Sequence, residues 1–208
     1  TLDDPKDKVD MWEKSQLANN LVRGERTEEA EALLMEILTE DPGAILSRSA
    51  LAGIYIRDER YTEAFELLEE TSTMRGARNS VFLRLCALDR EMENGLWQEH
   101  MMAAKQMDPR DPLPWVREGD WMQEDGHTEA ALLAYKKALE LDERSAKALV
   151  GIGNIEHRRG NEKIAWEAFE KSIEYDPIAF EAWYNLGVVA ETLESSQKSI
   201  WLVSSTLL

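Results

Sequence analysis

Three histidines, one cysteine and 41 carboxylates are the side chains here that could do chemistry. His100, His127 and His157 stand 27 and 30 residues apart and match no spacing of a metalloprotease or zinc hydrolase. His127 falls in a turn and His157 near a helix end, the ordinary places for surface histidines. Cys86, being alone, excludes a disulfide framework or a thiolate zinc site. It is expected to be a packed core thiol rather than a nucleophile. Gly151-Ile152-Gly153 lacks the third glycine of a dinucleotide loop and follows a helical pattern rather than a strand. No two carboxylates stand out as an acid/base couple. The pattern therefore predicts no catalytic residue, no metal and no cofactor, and a chain that is not an enzyme.

Charge and composition narrow the classes further. Twenty-four bases against 41 acids leave a formal −17, which opposes a phosphate-neutralising surface and hence nucleic-acid binding. No basic face suits an amphipathic membrane anchor. No apolar run reaches the roughly 20 residues of a membrane span, and no signal-peptide pattern is present. Hydrophobic residues at 43% and seven tryptophans are enough to bury a core. One free cysteine is compatible with a cytoplasmic location, which is the expected one.

Such a core needs elements to carry it, and the prolines mark them. Five of the six follow aspartate, and Pro42, Pro109 and Pro177 are 67 and 68 residues apart, close to twice 34. Gly119, Gly153 and Gly187 are spaced by 34, as are Ala131 and Ala165, and Tyr135 and Phe169. Trp115 and Trp183 lie 68 apart with Leu149 midway. Periods of this size signal repeat architectures. Within a unit, apolar residues recur at i, i+3, i+4 and i+7, which predicts two amphipathic helices. The breaks at Arg23-Gly24-Glu25, Asp125-Gly126-His127 and Arg159-Gly160-Asn161 offer a C-terminal glycine. Thr27, Thr62 and Thr128, followed by acids, predict hydroxyl caps on the second helices. Each Asp-Pro stops a second helix, because proline cannot continue the ladder. Small residues at Gly119, Ala131, Gly153, Ala165 and Gly187 let helices approach, with Trp115, Tyr135, Phe169 and Trp183 filling the space between.

These residues, with the segment EAWYNLG (181–187), resemble the tetratricopeptide repeat (TPR), whose pattern over 34 residues is W-x2-L-G-x2-Y, A-x3-F, P. The resemblance implies an all-α fold, a right-handed α-solenoid of stacked helix-turn-helix repeats, with about five full repeats and a partial sixth. Units fall at 11–44, 45–78, 79–111, 112–145, 146–179 and 180–194, with residues 1–10 a linker or N-terminal extension. The third unit keeps Leu85 and Cys86 at the Leu-Gly positions and loses one residue before Asp108-Pro109. Segment 195–208 (SSQKSIWLVSSTLL) carries no acid and reads as a possible last helix, with Ser199 at the small position and Val203 at the aromatic one, or as an atypical tail.

The resemblance also implies a function. First helices of the family line a groove that holds a peptide or a partner segment, making the chain a protein-interaction scaffold. Groove positions here carry seven basic residues (Arg23, Arg57, Arg84, Arg90, Arg117, Lys147, Arg158) against Glu91, Asp120, Glu124, Glu181 and Glu191, so an acidic ligand is expected. The candidate contacts are Arg84, Arg117, Lys147, Asn154, Arg158 and Asn185. The family's carboxylate clamp is not complete, because Val150 stands where its first lysine belongs. The alternative is a structural or oligomerising segment of a larger multidomain bacterial protein. DDPKDKVDMWEK (3–14) resembles the junction before repeats in some bacterial sulfatase-type hydrolases. Ile200, Trp201, Val203, Leu207 and Leu208 offer a route to a homo-oligomer through the C-terminal end.

Overall fold

The computed structural model describes residues 5–24 and 26–205, with side chains described for 12–24 and 26–194. Among the described residues it is all helix, and contacts divide the chain at Asp108-Pro109 into two units. The first unit holds α1 (Pro5–Arg23), α2 (Thr27–Glu40), α3 (Ile45–Arg57), α4 (Tyr61–Ser72), α5 (Asn79–Glu91) and α6 (Trp97–Met107). The second holds α7 (Leu113–Glu124), α8 (Thr128–Leu141), α9 (Ala146–Arg158), α10 (Glu162–Tyr175) and α11 (Phe180–Ser205). Within each unit every helix packs on its chain neighbour, the arrangement of a helical-repeat solenoid.

Punctuation explains why the helices break where they do. α2, α6 and α10 end immediately before Asp41-Pro42, Asp108-Pro109 and Asp176-Pro177. The Asp41 carboxylate then accepts from Gly43 N, and Asp176 from Ile178 N, so these two pairs both stop a helix and fold the turn that follows. Between the paired helices the chain reverses through one recurring backbone bond, such as Arg60 N to the Tyr55 carbonyl and His127 N to that of Met122. The turn needs a left-handed residue, and Gly126 (φ 80°) and Gly160 (φ 78°) supply it at no steric cost. In the first unit Glu59 (φ 59°) and Glu93 (φ 52°) take the same place.

Four sequence expectations change here. No threonine hydroxyl caps α2, α4 or α8: the residues before them are Arg26, Arg60 and His127, without side-chain cap bonds. Glutamates in the first turn still meet the helix dipole. Arg26 and Arg60 clamp two of these, Glu29 and Glu63, from three residues before. Residues 5–10 are the start of α1 rather than a linker; residues 1–4 lie outside the described residues. Segment 195–205 continues α11 as one 26-residue helix rather than turning back as a second one. Residues 206–208, and the side chains of Ile200, Trp201 and Val203, lie outside the described residues. Finally, Gly187 has no described atom within 4 Å of a Cβ built on it, so it brings no partner helix close.

The cores differ between units. Ala18, Leu34, Ala52, Leu68, Leu85 and Leu88 are among the buried aliphatic residues of the first. In the second, Tyr135 and Phe169 are wholly buried rings, set against glycines on the first helices.

Candidate functional site

The second unit contains a cleft of about 450 Å³ between α7, α9 and the start of α11. Its floor depends on two absent Cβ atoms. One built on Gly119 would lie 2.6 Å from the Tyr135 ring, and one on Gly151 2.3 Å from it. The ring, carried by α8, therefore reaches between α7 and α9 only because both positions are glycine. Its hydroxyl emerges in the cleft and donates to Asp120 Oδ1 at 2.8 Å.

Charges gather around that bond. Burial raises the Asp120 carboxyl above its ordinary pKa, opposed by the Tyr135 hydrogen bond and by the positive charges of Arg117 and Lys147. Burial also raises the Tyr135 phenol, and the negative charges of Asp120, Glu181 and Glu124 push it the same way. Four carboxylates (Asp120, Glu124, Asp176, Glu181) thus face two cations, Arg117 and Lys147, and the formal balance of the lining is −2. No hydrogen bond or ion pair engages either cation among the described residues. Gln123, also in the lining, keeps its buried Oε1 without a partner there.

Arg117, Lys147 and Asn154 of the six predicted residues line the cleft. Asn185 joins them by donating to Asn154 Oδ1 at 2.7 Å, while Asn154 Nδ2 donates to Glu181 Oε1 at 3.1 Å. The two asparagines are therefore engaged with each other before any ligand arrives. Arg158 is exposed in the last turn of α9, outside the lining. Arg84 belongs to the first unit, where its guanidinium donates to the Ser49 carbonyl. The seven bases against five acids of the groove positions over the whole chain thus become two against four in this cleft, because the other five bases lie outside it with Glu91 and Glu191, and Asp176 joins it.

Sequence reasoning missed Tyr135, which had only a packing role there. The available signal was the glycine at 151 beside the one at 119: two missing Cβ atoms flank one phenol. It also missed Asp89, fully buried on α5, which accepts from His100 Nδ1 at 2.6 Å while its Oδ1 has no partner among the described residues. Glu69 lies 3.4 Å from His100 Nε2, so this histidine ties α4, α5 and α6 together. Cys86 on α5 is buried, and burial pushes its thiol up to about 12. Among the described residues no group of three or more His, Cys, Asp or Glu could hold a metal, and no helix is long and apolar enough to cross a membrane.

The first unit has a groove of another kind. About 490 Å³ lies between α1 and α3, lined by Trp12, Ser15, Gln16, Asn19, Leu46 and Ala50 among others, with no charged residue.

No protein-family model and no curated protein matches the sequence. Solved structures do match the fold. YrrB, described as a TPR protein with an unusual peptide-binding site, is 22% identical, with 82% of this chain and 89% of that chain covered and a TM-score of 0.55. The C-terminal part of a TPR repeat-containing protein from Cytophaga hutchinsonii is 14% identical, covering 88% and 73%, with a TM-score of 0.67. A tetratricopeptide repeat protein from Parabacteroides merdae is 15% identical, covering 95% and 78%, with a TM-score of 0.65. The chain has the tetratricopeptide-repeat fold.

Proposed function

We propose that this chain of tetratricopeptide-repeat fold is a protein-interaction module whose second-unit cleft holds an extended segment of a partner protein. One observation carries the reading: Arg117 and Lys147 stand without ion pairs among the described residues at a cleft floored by the Tyr135–Asp120 hydrogen bond. Cations held free at a preorganised surface can meet the carbonyls and carboxylates of a peptide with little reordering. The asparagine pair supports it, since Asn154 and Asn185 can exchange their mutual bond for bonds to a backbone. YrrB's description as peptide-binding agrees with this use of the fold. The lining's −2 alters the expected ligand. A uniformly acidic segment would meet Asp120, Glu124 and Glu181 at close range, so the better fit places a basic side chain beside an acidic one.

Selection of a random peptide display library on the full chain tests this. Enriched peptides of mixed charge are expected, and Arg117→Glu with Lys147→Glu should weaken them at least tenfold. Failure to enrich any sequence, or equal binding by the double variant, would refute the site.

A further inference from the structure

Gly119, Gly153 and Gly187 share one register, yet only two of them are covered. The Tyr135 ring of α8 lies against Gly119 and the Phe169 ring of α10 against Gly153, while no described atom approaches Gly187. Beside it, Trp183 is 52% exposed, and a groove of about 570 Å³ runs between α10 and α11. Trp183 and Leu186 line one side of the groove, and Glu167, Glu170, Lys171, Ile173 and Glu174 lie on the other. This is where a second helix of the last repeat would pack.

The 34-residue register names the segment due there. Ser199 stands at the place of Ala131 and Ala165, and Val203 at that of Tyr135 and Phe169. The same segment, 195–205, contains no acid and carries Lys198, which suits a groove whose edge carries three glutamates against one lysine, Lys171. Its own chain cannot deliver it. α11 runs unbroken to Ser205, so Val203 lies about 24 Å beyond Gly187 along one helix axis, at 1.5 Å per residue. A straight helix cannot cover its own earlier turns.

A second copy can. We propose that two copies of this chain exchange the ends of α11, residues 195–205 of each covering the Trp183, Leu186 and Gly187 face of the other. The exchange is reciprocal and closes as a two-fold dimer. It uses the helix-on-helix packing that α7 makes with α8 and α9 with α10 within one chain, so no new kind of contact is needed. The proposal is independent of the cleft, whose lining it does not touch.

Light scattering on the full chain should give twice the 23.8 kDa of one copy. Truncation after Glu194 should return the mass of a single truncated chain. A chain bearing Gly187→Cys and Val203→Cys, treated with a short bis-maleimide, should form a covalent dimer, the buried Cys86 not competing. Each of four results would overturn the exchange. They are a monomer at high micromolar concentration, a dimer that survives truncation, a cross-link closed within one chain, and no cross-link between the cysteines of a dimer.

Discussion

The two units solve one packing problem with different volumes. In the first, the eighth position of each repeat is Ala18, Ala52 or Cys86, and the twenty-fourth is Leu34, Leu68 or Met101, all buried. In the second, the eighth is Gly119 or Gly153 and the twenty-fourth is Tyr135 or Phe169. A larger side chain on the second helix accompanies the loss of a Cβ on the first, which keeps interior packing dense without overlap. The exchange has a functional consequence. A leucine ends inside the core, whereas Tyr135 spans it and presents a hydroxyl to the cleft at Asp120. The unit without aromatic twenty-fourth positions has an uncharged groove, and the unit with them a charged one. Turn chemistry divides in the same way, with glutamate at the left-handed position in the first unit and glycine in the second.

Substitutions can break this contrast. The largest effect is expected at Gly151, where a Cβ would meet a ring already confined on its other side by Gly119. Gly151→Ala should destabilise the second unit by about 1–2 kcal/mol net in urea unfolding, overpacking outweighing the gain in helix propensity. Tyr135→Leu should relieve much of that penalty in a double-mutant cycle, giving the repeat the first unit's proportions.

A smaller loss of about 1 kcal/mol is expected for Tyr135→Phe, which leaves the Asp120 carboxyl in place without its donor. Its pH dependence has a definite sign. The folded pKa of Asp120 is raised, so its destabilising contribution is present above that pKa and is lost as pH falls through it. Asp120→Asn should therefore gain on the wild type near neutral pH, with the difference closing toward pH about 4, near the ordinary carboxylate pKa.

Two stabilising changes sharpen the comparison by roughly 0.5–1 kcal/mol each, readable as a rise in thermal midpoint. Glu59→Gly removes a left-handed side chain from the first unit, and, in the chain truncated after Glu194 where no second copy can cover it, Gly187→Ala adds a Cβ where no described atom obstructs it. Ala at 119 or 153, in the same register as 187, should instead destabilise. Least disruptive is a thiol assay. With its thiol pushed up to about 12 by burial, Cys86 should stay unreactive toward an aromatic disulfide at pH about 8 until the protein unfolds. Rapid labelling of the native chain would show that the first unit's eighth position is not packed.

Much of the fold was legible because it is local. The 34-residue recurrence of Gly119, Gly153, Tyr135 and Phe169, and the Asp-Pro stops, act over a few residues through backbone sterics, and the helices follow them. Three of the six candidate contacts, Arg117, Lys147 and Asn154, were found lining the cleft. Arg84 and Arg158 were not, because a register position says which face a residue shares but not whether a cleft forms there. The capping threonines misled because the turns close through backbone bonds, leaving Thr27 and Thr128 one place inside their helices.

The sequence by itself determined the helical period, the helix stops and the identity of the residues on each first helix. Those depend on covalent constraints and on side-chain spacing of 3.6 residues per turn. Only the tertiary structure decided that Tyr135 joins the core to the cleft and that the cleft's balance is negative. It also left Gly187 open where its register mates are covered. These are matters of which surfaces meet across helices, and three glycines alike in sequence differ only in what lies over them.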